Sequence, residues 1–533
     1  MGAETGRYSG AKQESPKLAK GWRLERLTQP SPVFGANGLR TAADGRVYIA
    51  QVAGSQISAL DVTTGSLETI SAAGSDIVAP DDIDFGPNGD LYITEYYDGR
   101  VSVRASNGQT RVLRDDLPGA NGITFYKGRL FVDECRIGGR LMELDLNGGA
   151  PKVLVENLAL PNALEVGPDG NLYYPVVGMG EIWRIHPDGG TPERVAGELP
   201  GPVAIKFDAK GYIVSPQIGT GQVLRIDPQS GEKTTLAQLA PGLDNLTFVG
   251  DRLFVSSLTG EVREVLSDGT SKAVLPRGLS FPFGLTVDAD GKLYVADGHH
   301  FFELMPGGEL RTIDMLVSPT FPGNMRGVVA TGENEFVVSV TQGGVIRYLP
   351  LEGKCEPLAQ GLDQPYGIAV QPDGTVIAAE LAAGRVVAIK DGGVKVLASG
   401  LDQPSGVAIG ANDGCFVAEM GAGRIVNVTS SGADEVVSGL QQPQGLAVSG
   451  DQLYVVDAGA HAVVQVDLKN KTKSFVAENL PVGAPAGVTL KPLRGIMPFS
   501  GPQDPFAGIT VGPKGELFVS ANQDGSVLAL RKE

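Results

Sequence analysis

The chain has 533 residues, 74 of them glycine and 35 proline, with 20% charged and only 6% aromatic residues. Such a length exceeds what one hydrophobic core supports, so it requires several domains or a repeat array. Its richness in turn formers favours short strands over helices. A formal net charge of −17 excludes the basic stripe that a nucleic-acid or anionic-membrane partner would need.

Three cysteines, Cys135, Cys355 and Cys415, are too few and too scattered for a disulfide framework or a metal-ligand pattern. They read as small buried residues. No run approaches the roughly 20 apolar residues of a membrane span. Residues 1–20 form a polar tail without the apolar segment of a secretory signal. The expectation is a soluble chain, cytoplasmic, or periplasmic or secreted if a signal peptide has been removed.

In chain order, a strand-like run at Trp22–Leu27 is followed by repeats of one pattern. Its clearest copies are Gln364-Pro365-Tyr366-Gly367-Ile368-Ala369-Val370, Gln403-Pro404-Ser405-Gly406-Val407-Ala408-Ile409 and Gln442-Pro443-Gln444-Gly445-Leu446-Ala447-Val448. After each comes a turn such as Pro372-Asp373-Gly374-Thr375, an apolar strand, a second turn and further strands. Asp-Gly between apolar runs marks a hairpin, because glycine supplies the positive φ of the tight turn.

Taking the residue before the Gly-Ile or its equivalent as a marker, the units begin at Asn37, Asp81, Asn121, Asn162, Val203, Asp244, Phe283, Arg326, Tyr366, Ser405, Gln444 and Ala507. Intervals of about 40 residues with four short strands each fit the blades of a β-propeller better than solenoid rungs. The last interval is longer and holds an insertion around Pro481 to Asp504. The fold class is therefore all-β, a β-propeller with twelve blade-like repeats. The final unit supplies only three strand-like runs, and a blade shared between the two chain ends accounts for both that deficit and Trp22–Leu27.

The first six markers read Asn, Asp, Asn, Asn, Val, Asp, and the second six Phe, Arg, Tyr, Ser, Gln, Ala. This change favours two six-bladed rings, over residues 21–269 and 270–533, with one twelve-bladed ring as the alternative. In the two-ring version Trp22–Leu27 closes the first ring and a strand near Lys272–Leu275 the second.

The motifs Ala120-Asn121-Gly122-Ile123-Thr124-Phe125, Pro161-Asn162-Ala163-Leu164 and Pro365-Tyr366-Gly367-Ile368 resemble the senescence-marker-protein, gluconolactonase and luciferin-regenerating-enzyme family. NHL-repeat proteins and virginiamycin B lyase are similar as well. The first resemblance implies one divalent metal, calcium ahead of magnesium or zinc, held on the axis-facing starts of different blades. By that implication the ligands are Asp81, Asn121, Asn162 and Asp244, with Asn37 a further candidate facing substrate. Carboxylates with amide oxygens suit such a hard cation. The family's first acidic ligand is a glutamate in a Glu-Gly-Pro context, where this chain has Pro80-Asp81-Asp82-Ile83. Asn and Asp at strand starts also bond nearby backbone, so a structural reading stays open beside the metal one.

Glu95 and Glu134, at the ends of second strands, are candidate general bases, and Arg136 could line the mouth. Acids recurring at that place in other repeats, such as Glu380 and Glu419, also suit a structural role of tying down the next loop. The lyase resemblance points instead to His461 or His299, with Glu419 and Arg326, in the second half; Tyr366 joins Arg326 as a substrate contact. No nucleophile elbow, phosphate loop or dinucleotide fingerprint stands out. The leading expectation is a metal-dependent hydrolase of the lactonase or esterase type acting on a small molecule. A virginiamycin B lyase-like lyase or isomerase and a non-catalytic binding scaffold are the alternatives.

Overall fold

The structure, a computed structural model, describes residues 7–8, 14–410, 414–429 and 432–533. It is all-β, and the strands of these residues form twelve antiparallel sheets, eleven of four strands and one of five. The sheet over 365–399 shows why the sequence folds this way. Its strands are Pro365–Val370, Val376–Glu380, Arg385–Lys390 and Gly393–Ser399. Between the first two, Gly374 takes φ +82° and the Asp373 carboxylate accepts the Thr375 N–H at 3.0 Å, which closes the turn locally. The second strand is buried throughout, and most of the fourth is exposed.

The chain divides into two compact units. One, the N-half unit, comprises Pro32–Arg277 with Thr489–Ile496; the other, the C-half unit, comprises Gly278–Val488, Met497–Glu533 and the described residues up to Ser31. The N-half sheets begin at Leu39–Thr41, Pro80–Phe85, Ala120–Tyr126, Glu165–Val166, Lys206–Phe207 and Leu243–Val249. The C-half sheets begin at Leu285–Val287, Met325–Gly332, Pro365–Val370, Pro404–Ile409, Pro443–Ser449 and Ile509–Val511.

Within each unit the last sheet is bonded back to the first. In the N-half unit the Ser256 hydroxyl donates to the Asn37 carbonyl at 2.8 Å, and Phe254, Val262 and Leu275 pack on Leu39, Val47 and Ile49. In the C-half unit the Ser520 hydroxyl donates to the Phe283 carbonyl at 2.6 Å, and Phe518, Val527 and Ala529 pack on Leu285, Val295 and Phe302. Each such buried aliphatic or aromatic side chain contributes about 1.5–3 kcal/mol, so the apolar seams carry the stability and the hydroxyls set the register.

Trp22–Arg26 pairs with Ser526–Lys532 in the C-half unit, Leu24 opposite Leu530. Here the two-ring expectation is corrected: Trp22–Leu27 does not close the first ring, and Ser271–Leu275 is the fourth strand of the last N-half sheet instead of a closing strand of the second. The cause is burial, because Trp22 and Leu24 pack on the apolar cluster that includes Tyr454, Leu528 and Leu530. The shared sheet at the chain ends is present. Of the polar tail 1–20, residues 1–6 and 9–13 lie outside the described residues, and Lys17–Leu18 adds a fifth strand beside Thr472–Glu478.

One irregularity positions the site. The ladder between first and second strands skips at the marker, between Pro80 and Ile83, Ala120 and Ile123, and Leu243 and Leu246 in the N-half unit. The same skip recurs at Pro365/Ile368, Pro404/Val407 and Pro443/Leu446. An interrupted ladder frees the marker residue and re-aims its side chain.

Candidate functional site

Four N-half markers, Asp81, Asn121, Asp244 and Asn37, join through their side chains. The Asn121 amide donates to the Asp81 carboxylate at 2.7 Å, and the Asn37 side chain hydrogen-bonds Asp244. Both amide oxygens are held in turn by backbone, Asn121 by the Ala163 N–H at 3.4 Å and Asn37 by the Val52 N–H at 3.1 Å. The asparagines therefore orient the carboxylates. Asn162 lies at the edge of this group, its amide donating to the Cys135 sulfur at 3.6 Å and its oxygen accepting the Ala163 N–H.

Burial, and next the charge of Asp244, hold the Asp81 carboxyl well above the usual carboxylate range. Asp244 is pushed up to about 7 by burial and by Asp82. Burial, with Asp133, Asp81 and Asp244 nearby, also pushes the Cys135 thiol up, which makes it a packing neighbour and not a nucleophile. Asp244 is surrounded by protein yet keeps accessible surface, as a residue lining a concavity does.

Beneath these side chains lies a charged layer. Arg40 donates to the carbonyls of Ile83 at 2.9 Å and Ile123 at 3.0 Å, and to Glu165 at 3.2 Å. It also lies 3.4 Å from Asp84, and Lys206 pairs with Glu165. Against the cost of burial, Lys206 and Arg40 bring Glu165 down to about 2. Asp82, raised to about 6 by burial, is held no higher by the same two cations. Asp133 rises to about 8 through burial, with the Gly122 N–H opposing at 3.0 Å. Cations thus serve Glu165, Asp82 and Asp84, whereas no cation is among the groups that shift Asp81 or Asp244.

The general-base expectation for Glu95 and Glu134 meets full ionic engagement. Glu95 accepts from the Val78 N–H at 2.5 Å, from Arg100 at 2.6 Å, and from the Ser102 hydroxyl. Glu134 accepts from Arg136 at 3.0 Å and from Arg140 at 2.8 Å. Arg136 is half-buried and spends one amino group on Glu134. The repeat explains this use: Glu380 pairs with Arg385 and Glu419 with Arg424 in the same way. Glu95, Glu380 and Glu419 each accept a loop N–H and an arginine, and so hold the hairpin that follows, whereas Glu134 is held by two arginines.

Arg326, Tyr366 and His461 belong to the C-half unit. The Arg326 guanidinium stacks 3.9 Å from the Tyr366 ring centre. His461 Nδ1 is bonded to the Val482 carbonyl at 2.6 Å. No hydrogen bond or ion pair links His461, Glu419 and Arg326 among the described residues, so the three-residue lyase arrangement is not assembled.

Several members of the N-half site are absent from the sequence expectation: Arg40, Asp82, Asp133, Glu165 and Lys206. Residues 489–496 of the insertion also belong to this unit. Leu493 packs with Val52, Val78, Ala79 and Tyr97, and Arg494 lies 3.7 Å from Asp98. Tyr96, whose hydroxyl donates to the Cys135 carbonyl at 3.2 Å, meets Tyr97 edge-on.

Residues 16–259 match the family described as SMP-30/Gluconolactonase/LRE-like region. That match bears out the family resemblance read from the motifs, over slightly less than half of the chain. Among solved structures, a streptogramin B lyase is similar at 20% identity over 52% of this chain and 96% of that one, TM-score 0.39. A gluconolactonase from Xanthomonas campestris is 15% identical over 46% and 93%, TM-score 0.37. The calcium-binding protein regucalcin from Agrobacterium tumefaciens is 19% identical over 45% and 85%, TM-score 0.36. No curated protein matches. No helix among the described residues is long and apolar enough to cross a membrane.

Proposed function

We propose that each unit is a six-bladed propeller and that the N-half unit is a metal-dependent hydrolase of the lactonase type, acting on a small molecule. One observation carries this reading: Asp81 and Asp244 are buried carboxyls held above the usual range, Asp244 adding to the rise of Asp81, and no cation is among the groups that shift either, while the layer below has two. Uncompensated buried charge is costly, and a divalent cation removes that cost.

The donor set suits calcium. Among the described residues no three His, Cys, Asp or Glu side chains converge as a ready-made ligand cluster, so a cation here relies on two carboxylates with amide and carbonyl oxygens. Such hard oxygen donors fit calcium or magnesium, and zinc's preference for nitrogen and sulfur is not met. Asp81 and Asp244 would hold the ion, Asn121 and Asn37 would fix their carboxylates, and Asn162 would stand at the rim. When bound, the ion supplies Lewis acidity toward the ester carbonyl.

Asp244, hydrogen-bonded by Asn37, would face the ion as a carboxylate. Asp81, tied to Asn121, stays in place beside it. Tyr96 and Tyr97 provide an aromatic wall for the substrate.

The experiment is calcium titration by calorimetry with a panel of aldonolactones, on wild type, Asp81→Ala and Asn121→Ala. Asp81→Ala should abolish both calcium binding and lactone opening; Asn121→Ala should weaken binding by about 10–100-fold. Unchanged turnover in both variants would end the reading.

A further inference from the structure

The C-half unit carries a buried charge with the opposite need. Arg326 has no accessible surface, and no carboxylate pairs with it among the described residues. One amino group donates to the Pro365 carbonyl at 3.4 Å, and the other donates to the Pro502 carbonyl. Its Nε has no partner, and two residues earlier the buried Asn324 side-chain oxygen has none either. Stacking on Tyr366 contributes about 2 kcal/mol for a desolvated guanidinium, well short of the several kcal/mol that an ion loses on burial. A guanidinium fork presents Nε and an amino group in the plane that matches a carboxylate, and here two backbone carbonyls and the Tyr366 hydroxyl face it.

The Pro502 carbonyl arrives on the insertion, whereas the Pro365 carbonyl belongs to a sheet strand. Residues 499–506 come from the insertion and hang on side chains of the sheets: the Phe499 carbonyl accepts from Gln342 at 2.6 Å, and the Gly501 N–H donates to Thr341 at 3.1 Å. The Asp504 N–H then donates to the Tyr366 hydroxyl at 3.2 Å, and Phe506 meets the Tyr366 ring edge-on. Burial raises the affinity of Asp504 for protons, and Arg326 opposes that rise. The segment thus offers Arg326 a carbonyl and brings a carboxyl near it without pairing the two.

We infer that Arg326, with Tyr366 beneath it, is a second binding site of this protein, specific for a small organic carboxylate and covered in this structure by residues 499–504. The incoming carboxylate takes Nε and the amino group now held by Pro502, and the Pro502 carbonyl turns to solvent. The site is independent of the lactonase reading, since all its groups lie in the C-half unit.

Full-length protein titrated with sodium benzoate, against benzamide as the uncharged control at matched ionic strength, tests this by calorimetry and thermal shift. Benzoate should give saturable binding and raise the melting temperature; benzamide should do neither. Arg326→Gln should lose the response, and a variant with 499–504 replaced by a Gly-Ser segment of equal length should bind about tenfold more tightly, because the covering segment no longer competes. Should Arg326→Gln fail to fold, the ¹⁵N-arginine spectrum of the wild type gives the answer, since the Nε–H resonance that moves with benzoate must be one shielded from exchange. Absence of saturable binding in both wild type and the Gly-Ser variant, or an undiminished response in folded Arg326→Gln, would overturn the proposal.

Discussion

The two units use the same sheet and differ at the residue after each marker. In the C-half unit that residue is glycine six times: Gly284, Gly327, Gly367, Gly406, Gly445 and Gly508. In the N-half unit it is Gly38, Asp82, Gly122, Ala163, Ala204 and Asn245. Glycine there admits the marker carbonyl of the neighbouring sheet, as a Cβ on Gly445 would come within 2.5 Å of the Ala507 carbonyl and one on Gly367 within 2.6 Å of the Ser405 carbonyl. Where Ala163 and Ala204 stand instead, the first strands shrink to Glu165–Val166 and Lys206–Phe207. Close backbone approach is thereby traded for side chains, and the N-half unit fills its centre with carboxylates, amides, Arg40 and Lys206. The C-half unit fills its own with an arginine–tyrosine stack and its own backbone.

The sharpest way to break this contrast is to remove the charge on which the N-half centre rests. Arg40→Met leaves Glu165, Asp84 and Asp82 with Lys206 alone, and losing one partner of a buried ionic network costs about 3–5 kcal/mol. Chemical denaturation followed by near-ultraviolet dichroism should show an earlier N-half transition. A single unshifted transition would mean that the layer is not structural.

The second test sharpens the contrast through pH. Asp133 is lifted to about 8 by burial and has one carboxylate oxygen without a hydrogen-bond partner. A group whose folded-state pKa lies above its unfolded value binds protons more tightly in the folded state. Its stabilising share is therefore complete below about pH 4, the unfolded carboxylate range, and is lost as pH rises through about 8. Chelator-treated wild type should lose melting temperature across this window, and Asp133→Asn should flatten the fall. A slope equal in the two proteins would assign the dependence elsewhere.

Much of this was legible in the sequence because the repeat announces itself. The Pro-x-Gly-Ile copies fix strand starts, and the change in marker chemistry separates Asp81, Asn121 and Asp244 from Phe283, Arg326 and Tyr366. The charged layer was not legible. Arg40 and Glu165 stand 125 residues apart in strands whose alternation looks ordinary, and only the return of the last sheet to the first brings Arg40, Glu165 and Lys206 together. For Glu95 the useful signal lay in a spacing. Arginine follows five residues after Glu95, Glu380 and Glu419, which marks all three as hairpin anchors. The partner of Trp22–Arg26 was ambiguous because an apolar strand alone does not say which incomplete sheet it completes.

The smallest effects test the glycine rule itself. Gly445→Ala places a methyl against the Ala507 carbonyl, which is backbone and cannot turn away. Overpacking of this kind costs about 1–3 kcal/mol, and it should appear as a lower C-half transition with the N-half transition unmoved. The converse substitution, Ala163→Gly, removes a side chain from a place where no neighbouring carbonyl demands the space. Its cost should stay within about 0.5–1 kcal/mol, the backbone-entropy difference between the two residues. Equal losses in the two variants would mean that the residue after the marker acts through local conformation alone. A loss confined to Gly445→Ala would establish that close approach between neighbouring sheets selects glycine in one unit, and that release from it leaves the other unit room for polar chemistry.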